Sequence, residues 1–209
     1  MSRLDVVKSL LRSAARAPGT QLARWRAPSK LRERVMRMIG RRLWLSDGKL
    51  TAAVARVPEV AAATVSSAYG KLRVDASFHD GTSLLFALTP LGSAFAPRGA
   101  KELSLRAEPE SAALNPRCGD IVAAIATEVA HALWGPFLRG PRDASRRALA
   151  HRHGDVLVVD LRSVPAVRAA LGQPLLAAAI EALSLRSIEV NAGGMRLAPS
   201  LAGIDVPSG

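Results

Sequence analysis

Three sets of side chains have the types and spacing that chemistry would need. His151-Arg152-His153-Gly154-Asp155 matches the opening of an H-x-H-x-D-H metal-binding pattern, in which imidazoles and carboxylates converge on one ion. The pattern then stops, because Val156 stands where the next histidine belongs and none of the chain's 4 histidines lies beyond His153. The expected reading is a pair of solvated loop histidines ahead of a strand. Cys118 lies beside Arg117 and close to a helix start, surroundings that can lower a thiol pKa. A lone cysteine near a helix is more often a small core residue, and a single one excludes a disulfide framework or a multi-thiolate metal centre. Glu128 and His131 are one helical turn apart, the spacing of a carboxylate-oriented base or of a surface ion pair, and the surface pair is the expected meaning. No G-x-S-x-G elbow, G-x-x-x-x-G-K-[ST] loop or G-x-G-x-x-G fingerprint occurs. A binding role is therefore expected ahead of an enzymatic one, with no catalytic residue, no metal and no cofactor.

Charge gives a clearer signal. The chain has 209 residues and a formal charge of +12, and residues 1–43 hold twelve basic side chains against Asp5 and Glu33. Nearly all of the excess thus sits in the first fifth of the sequence, and the remainder is close to neutral. Hydrophobic residues make up 49%, which excludes a disordered chain, while no apolar run approaches the ~20 residues a membrane-spanning helix needs.

Leu4, Val7, Leu11 and Ala15 recur at helical spacing, as do Leu31, Val35, Met38 and Arg42. Pro18-Gly19 and Ala27-Pro28 separate them, and Ser29 is placed to cap the second helix, so residues 1–43 are expected to form a basic amphipathic helical arm. Asp5, Lys8, Arg12 and Arg16 interrupt any continuous apolar core, which argues against a secretory signal; an organellar transit peptide is the alternative targeting role. Trp25 stands between Arg24 and Arg26, and Trp44 follows Arg41-Arg42-Leu43. Cations alone suffice for a phosphate backbone, whereas a lipid surface asks for cations, an apolar face and aromatic anchors at headgroup level. Arg24, Trp25, Arg26, Lys30, Arg34, Arg37, Arg41, Arg42 and Trp44 supply all but the apolar face, and the helical stripe supplies that. These nine residues are the expected contact set for an anionic membrane surface, with nucleic acid as the competing polyanion. The bland alternative has Leu31, Val35, Met38 and Trp44 packed on the body with the arginines in water.

The body that carries the arm, residues 44–206, is expected to be one α+β domain: a twisted antiparallel sheet packed on one long helix. Leu72, Val74, Ala76 and Phe78 alternate with Arg73, Asp75, Ser77 and His79, the mark of a strand with one buried face. Asp80-Gly81 signals a hairpin, 83–88 the returning strand, and 89–99 a Pro/Gly-rich connection. Segments 49–57 and 60–67 suit either strand or helix. Leu103, Leu105 and Ala107 alternate again, and Ile121, Ile125, Val129 and Ala132 form the stripe of a core helix over about 119–133. Residues 139–154 read as a surface connection, Val156 to Val159 as a strand covered on both sides, 174–183 as a second helix, and 185–198 as a closing hairpin.

Tyr69 to Pro90, Ile121 to Leu133 and Ile188 to Leu201 together resemble the small tubular lipid-binding (TULIP-like) proteins. In those proteins a strongly twisted antiparallel sheet wraps a long helix beside an apolar groove. The resemblance implies a lipid or another hydrophobic ligand as cargo. The expected protein is a peripheral membrane-associated, lipid-binding or carrier protein, cytoplasmic at a membrane surface, or in an organellar matrix if the arm is a transit peptide. A nucleic-acid-binding or scaffold protein is the alternative.

Overall fold

Turn chemistry sets the hairpins. Ala68 and Lys71 close the two-residue loop Tyr69-Gly70, and Asp80-Gly81 reverses the chain again. The Asp80 carboxylate accepts from the Thr82 backbone N–H at 3.0 Å and its hydroxyl at 2.6 Å, while Gly81 takes the positive φ of 81° that the turn requires. A computed structural model describes residues 41–95, 100–110, 117–138 and 150–201, together with Glu33. It has the α+β class expected, with helices on antiparallel sheets.

In chain order the described elements are β1 (Leu43–Ser46), α1 (Asp47–Val54), β2 (Val60–Ala68), β3 (Lys71–Phe78), β4 (Ser83–Phe95), β5 (Lys101–Pro109), α2 (Arg117–Trp134), β6 (Ala150–His153), β7 (Val156–Asp160), α3 (Pro165–Leu171), α4 (Pro174–Ala182), β8 (Leu183–Asn191) and β9 (Gly194–Leu201). They form two sheets where one was expected: a six-stranded sheet in the order β2-β3-β4-β5-β7-β6, and a three-stranded sheet in the order β1-β9-β8. Where β8 passes β4, the Ser93 hydroxyl donates to the Leu185 carbonyl at 3.2 Å.

The inward faces follow the alternation in the sequence. Leu72, Val74, Ala76 and Phe78 of β3 meet Leu84, Phe86 and Leu88 of β4 and Leu103, Leu105 and Ala107 of β5 in a single core with Ile121, Ile125 and Val129 of α2. Leu45, Met195 and Leu197 of the smaller sheet join the same cluster. Fully burying each of the Leu, Val, Ile, Phe and Met side chains among them stabilises the fold by about 1.5–3 kcal/mol before conformational entropy is counted.

The choice left open for 49–57 falls to helix, over Asp47–Val54: Ser46 caps α1 by accepting from the Lys49 N–H at 3.4 Å, and Asp47 sits in the first turn. The helix lies along β2, an edge strand, and closes its free side. Thr51 Oγ1 accepts from Val65 N at 2.9 Å and Asp47 Oδ2 from Ser67 N at 3.0 Å, so two alternate N–H groups of the edge are satisfied. The expected connection at 89–99 is strand as far as Phe95, because a bulge absorbs Pro90 and Gly92: Pro90 pairs with Leu105, Gly92 with Ser104, and Leu91 is the extra residue. The expected connection over 139–154 contains β6, while 139–149 lie outside the described residues. β7 buries Leu157 and Val159 and leaves Val156 and Val158 half-buried, so one face is enclosed rather than two. α3 was not anticipated; Pro165 supplies its first turn. Of the two amphipathic helices expected in residues 1–43, only Glu33, which is helical, and residues 41–43 are described; Arg41 and Arg42 are not helical and Leu43 opens β1, and the rest lie outside the described residues.

Candidate functional site

Of the nine expected contact residues, Arg24, Trp25, Arg26, Lys30, Arg34 and Arg37 lie outside the described residues. Arg41 and Arg42 are exposed and lead straight into β1. Leu43 and Trp44 then take opposite faces of the strand, Leu43 packing on the core and Trp44 standing 41% exposed. A packed Trp44 was the bland alternative, and the indole is in fact half settled: a Cβ on Gly194 would lie 2.8 Å from its Cζ2 and would collide with the Leu45 carbonyl. Only glycine allows the ring to lie down on β9 there. Arg196 is opposite Trp44 and Glu189 is opposite Arg196, so an indole, a guanidinium and a carboxylate form a row across the smaller sheet.

The sets singled out for chemistry disperse. His151 and His153 are on the exposed edge strand β6 rather than in a loop, opposite Val158 and Val156. Asp155, the third member of that pattern, pairs with Arg106 at 3.2 Å. No group of three metal-ligating side chains exists among the described residues. Cys118 is buried, and that burial pushes its thiol up to about 12 against the opposing pull of Arg152, which removes it as a nucleophile. Glu128 is not a surface residue: it is 2% exposed and receives Arg56 Nη1 at 2.7 Å, which ties α2 to the end of α1.

Two features escaped the sequence reading. The first is ionic and internal. Lys101 opens β5 with no exposure at all; its Nζ lies 3.8 Å from Glu181 Oε2, donates to the Glu181 carbonyl at 3.4 Å and sits 5.8 Å over the Phe95 ring. Arg162 reaches the other Glu181 oxygen at 3.6 Å, and Asp160 accepts from the Lys101 backbone N–H at 3.3 Å. Burial lowers the Lys101 pKa, and Glu181 opposes that shift. Strand parity could have found it, since Lys101 shares the inward face of Leu103, Leu105 and Ala107. An enclosed ammonium of this kind pins α4 to β5.

The second feature is external. The exposed large hydrophobic residues among those described are Trp44, Tyr69 and Leu91. Tyr69 is fully exposed at the tip of the β2–β3 hairpin and holds a φ of 50°, the one positive value at a non-glycine residue among those described.

Compared with known proteins, the chain matches no family model, no curated protein and no solved structure.

Proposed function

We propose that the chain is a peripheral membrane protein that docks on anionic lipid through its cationic N-terminal segment and the exposed start of β1. The observation that carries this reading is the junction itself: Arg41 and Arg42 are exposed where the +10 stretch enters the body, and Trp44 follows, 41% exposed on the outer face of the smaller sheet. A basic group near an anionic headgroup surface contributes about 1 kcal/mol, and a partly inserted indole adds apolar burial. No helix among the described residues is long and apolar enough to cross a membrane.

A hydrophobic cargo extends the same reading. Its support is the resemblance to tubular lipid-binding proteins carried by Tyr69 to Pro90, Ile121 to Leu133 and Ile188 to Leu201.

Vesicle co-sedimentation of the full chain tests the docking. Binding to phosphatidylserine-containing vesicles is expected, and replacing Arg24, Arg26, Lys30, Arg34, Arg37, Arg41 and Arg42 by glutamine should lower it by orders of magnitude at low salt. Replacing Leu4, Val7 and Leu11 by serine should weaken lipid binding as well. If those serines change nothing while RNA or DNA affinity falls steeply with salt, the nucleic-acid alternative is the right one.

A further inference from the structure

We infer that the β2–β3 hairpin tip is a second, body-borne lipid contact, with Tyr69 and Leu91 entering the interfacial layer of the bilayer; the inference rests on the docking reading above. Tyr69 and Gly70 have φ of 50° and 79°, both in the left-handed region, which makes their loop a type I′ turn. The first position of such a turn favours Asn, Asp or Gly, and a tyrosine there strains the backbone. Nothing in the fold compensates, since the side chain is fully exposed. A positive φ at a bulky, fully exposed side chain is the outlier from which the external contact is inferred.

Leu91 independently points the same way. Leu72 pairs with Leu88, so continuing β4 past Leu88 brings Leu91 level with the Tyr69-Gly70 loop, two strands along from β2. There it is the extra residue of the bulge, 44% exposed; bulges re-aim side chains in this way.

The lipid surface is favoured as occupant by continuity with the proposed docking edge. The Gly193 N–H donates to the Ser67 carbonyl at 3.3 Å, two residues before Tyr69, and Trp44 lies on the adjoining Gly194. The hairpin tip and the indole are therefore joined through the β8–β9 turn. Tyrosine and tryptophan are the side chains that settle at headgroup depth, with ring in the apolar layer and polar tip in water. Projecting single side chains suit a soft interface; a protein partner would ask for a complementary face of about 800 Å². Lys71, next to the turn, is paired with Glu108 at 2.6 Å, so binding by the tip should depend little on salt, unlike binding by the arm.

The test uses the full chain carrying Tyr69→Asn, with Tyr69→Trp as its counterpart, on vesicles of phosphatidylcholine with phosphatidylserine. Asparagine tolerates the turn, so the variant should unfold about 2–4 °C higher while its partitioning at high salt falls roughly five- to tenfold. Tyr69→Trp should retain binding, and brominated lipid should quench additional fluorescence relative to the unchanged chain. Equal partitioning of Tyr69→Asn and the unchanged chain overturns this inference and leaves docking by the arm standing. Absence of vesicle binding by the unchanged chain overturns both.

Discussion

An ammonium group removed from water persists only where its neighbours replace what hydration supplied, and around Lys101 that task falls to the Glu181 carboxylate and carbonyl and to the Phe95 ring face. Arg162 shares the same carboxylate, so Glu181 answers two cations. Glu181→Gln should therefore cost about 3–5 kcal/mol in urea denaturation, since it strands a buried charge, whereas Lys101→Met should be close to neutral or stabilising. The pH dependence has a definite sign. Burial holds the folded pKa of Lys101 below 10.5, so the unfolded chain binds the proton more tightly. Stability should rise with pH from the folded value up to 10.5, and fall as pH drops through the folded value. Lys101→Met should abolish that slope; an unchanged slope would assign it to another group. The lysine was legible in principle, because strand parity places it inward, but parity says nothing of what waits there. Glu181 and Arg162 arrive from distant parts of the chain.

The start of α2 is fastened to the β3–β4 hairpin by one side chain. Arg117 Nη2 meets Asp80 Oδ2 at 2.5 Å, Nη1 reaches Asp80 Oδ1 at 3.2 Å and the Thr82 hydroxyl at 2.6 Å, and the guanidinium lies 4.5 Å over the Phe78 ring. This fork, with the turn's own hydrogen bonds, holds the Asp80 carboxyl well below the usual carboxylate range. The depressed value means that its contribution is complete above 3.8 and disappears as pH falls through the folded pKa. Asp80→Asn should lower Tm at neutral pH and flatten the acid limb of a Tm-against-pH curve; an acid limb identical to that of the unchanged chain would remove Asp80 from the account. The pair is solvent-exposed, so the effect is expected to be small. Asp80-Gly81 was readable as a turn from its own residues. Its partner on α2 was not, because the intervening β4 and β5 decide how far the chain travels before α2 begins.

For the molecule as a whole, α2 is the shared support: its buried stripe belongs to the same cluster as the inner faces of both sheets. Ile125 is fully buried near the middle of that stripe, so Ile125→Ala should cost about 2–5 kcal/mol, and near-UV and far-UV signals should lose their transitions together. Separate transitions would show that the two sheets do not unfold as one unit. Local grammar alone determined much of this body. Alternation in 72–78, the Asp80-Gly81 turn, the stripe from Ile121 to Val129 and the closing hairpin were all readable, because each depends on periodicity and turn chemistry within a few residues. The same locality made the charge asymmetry of residues 1–43 visible. Only tertiary structure divided the strands into two sheets, turned 89–95 into strand by bulging out Leu91, buried Glu128 and enclosed Lys101. Each of those outcomes rests on contacts between residues far apart in sequence, where the burial that decides a side chain's role comes from elements its own neighbours do not encode.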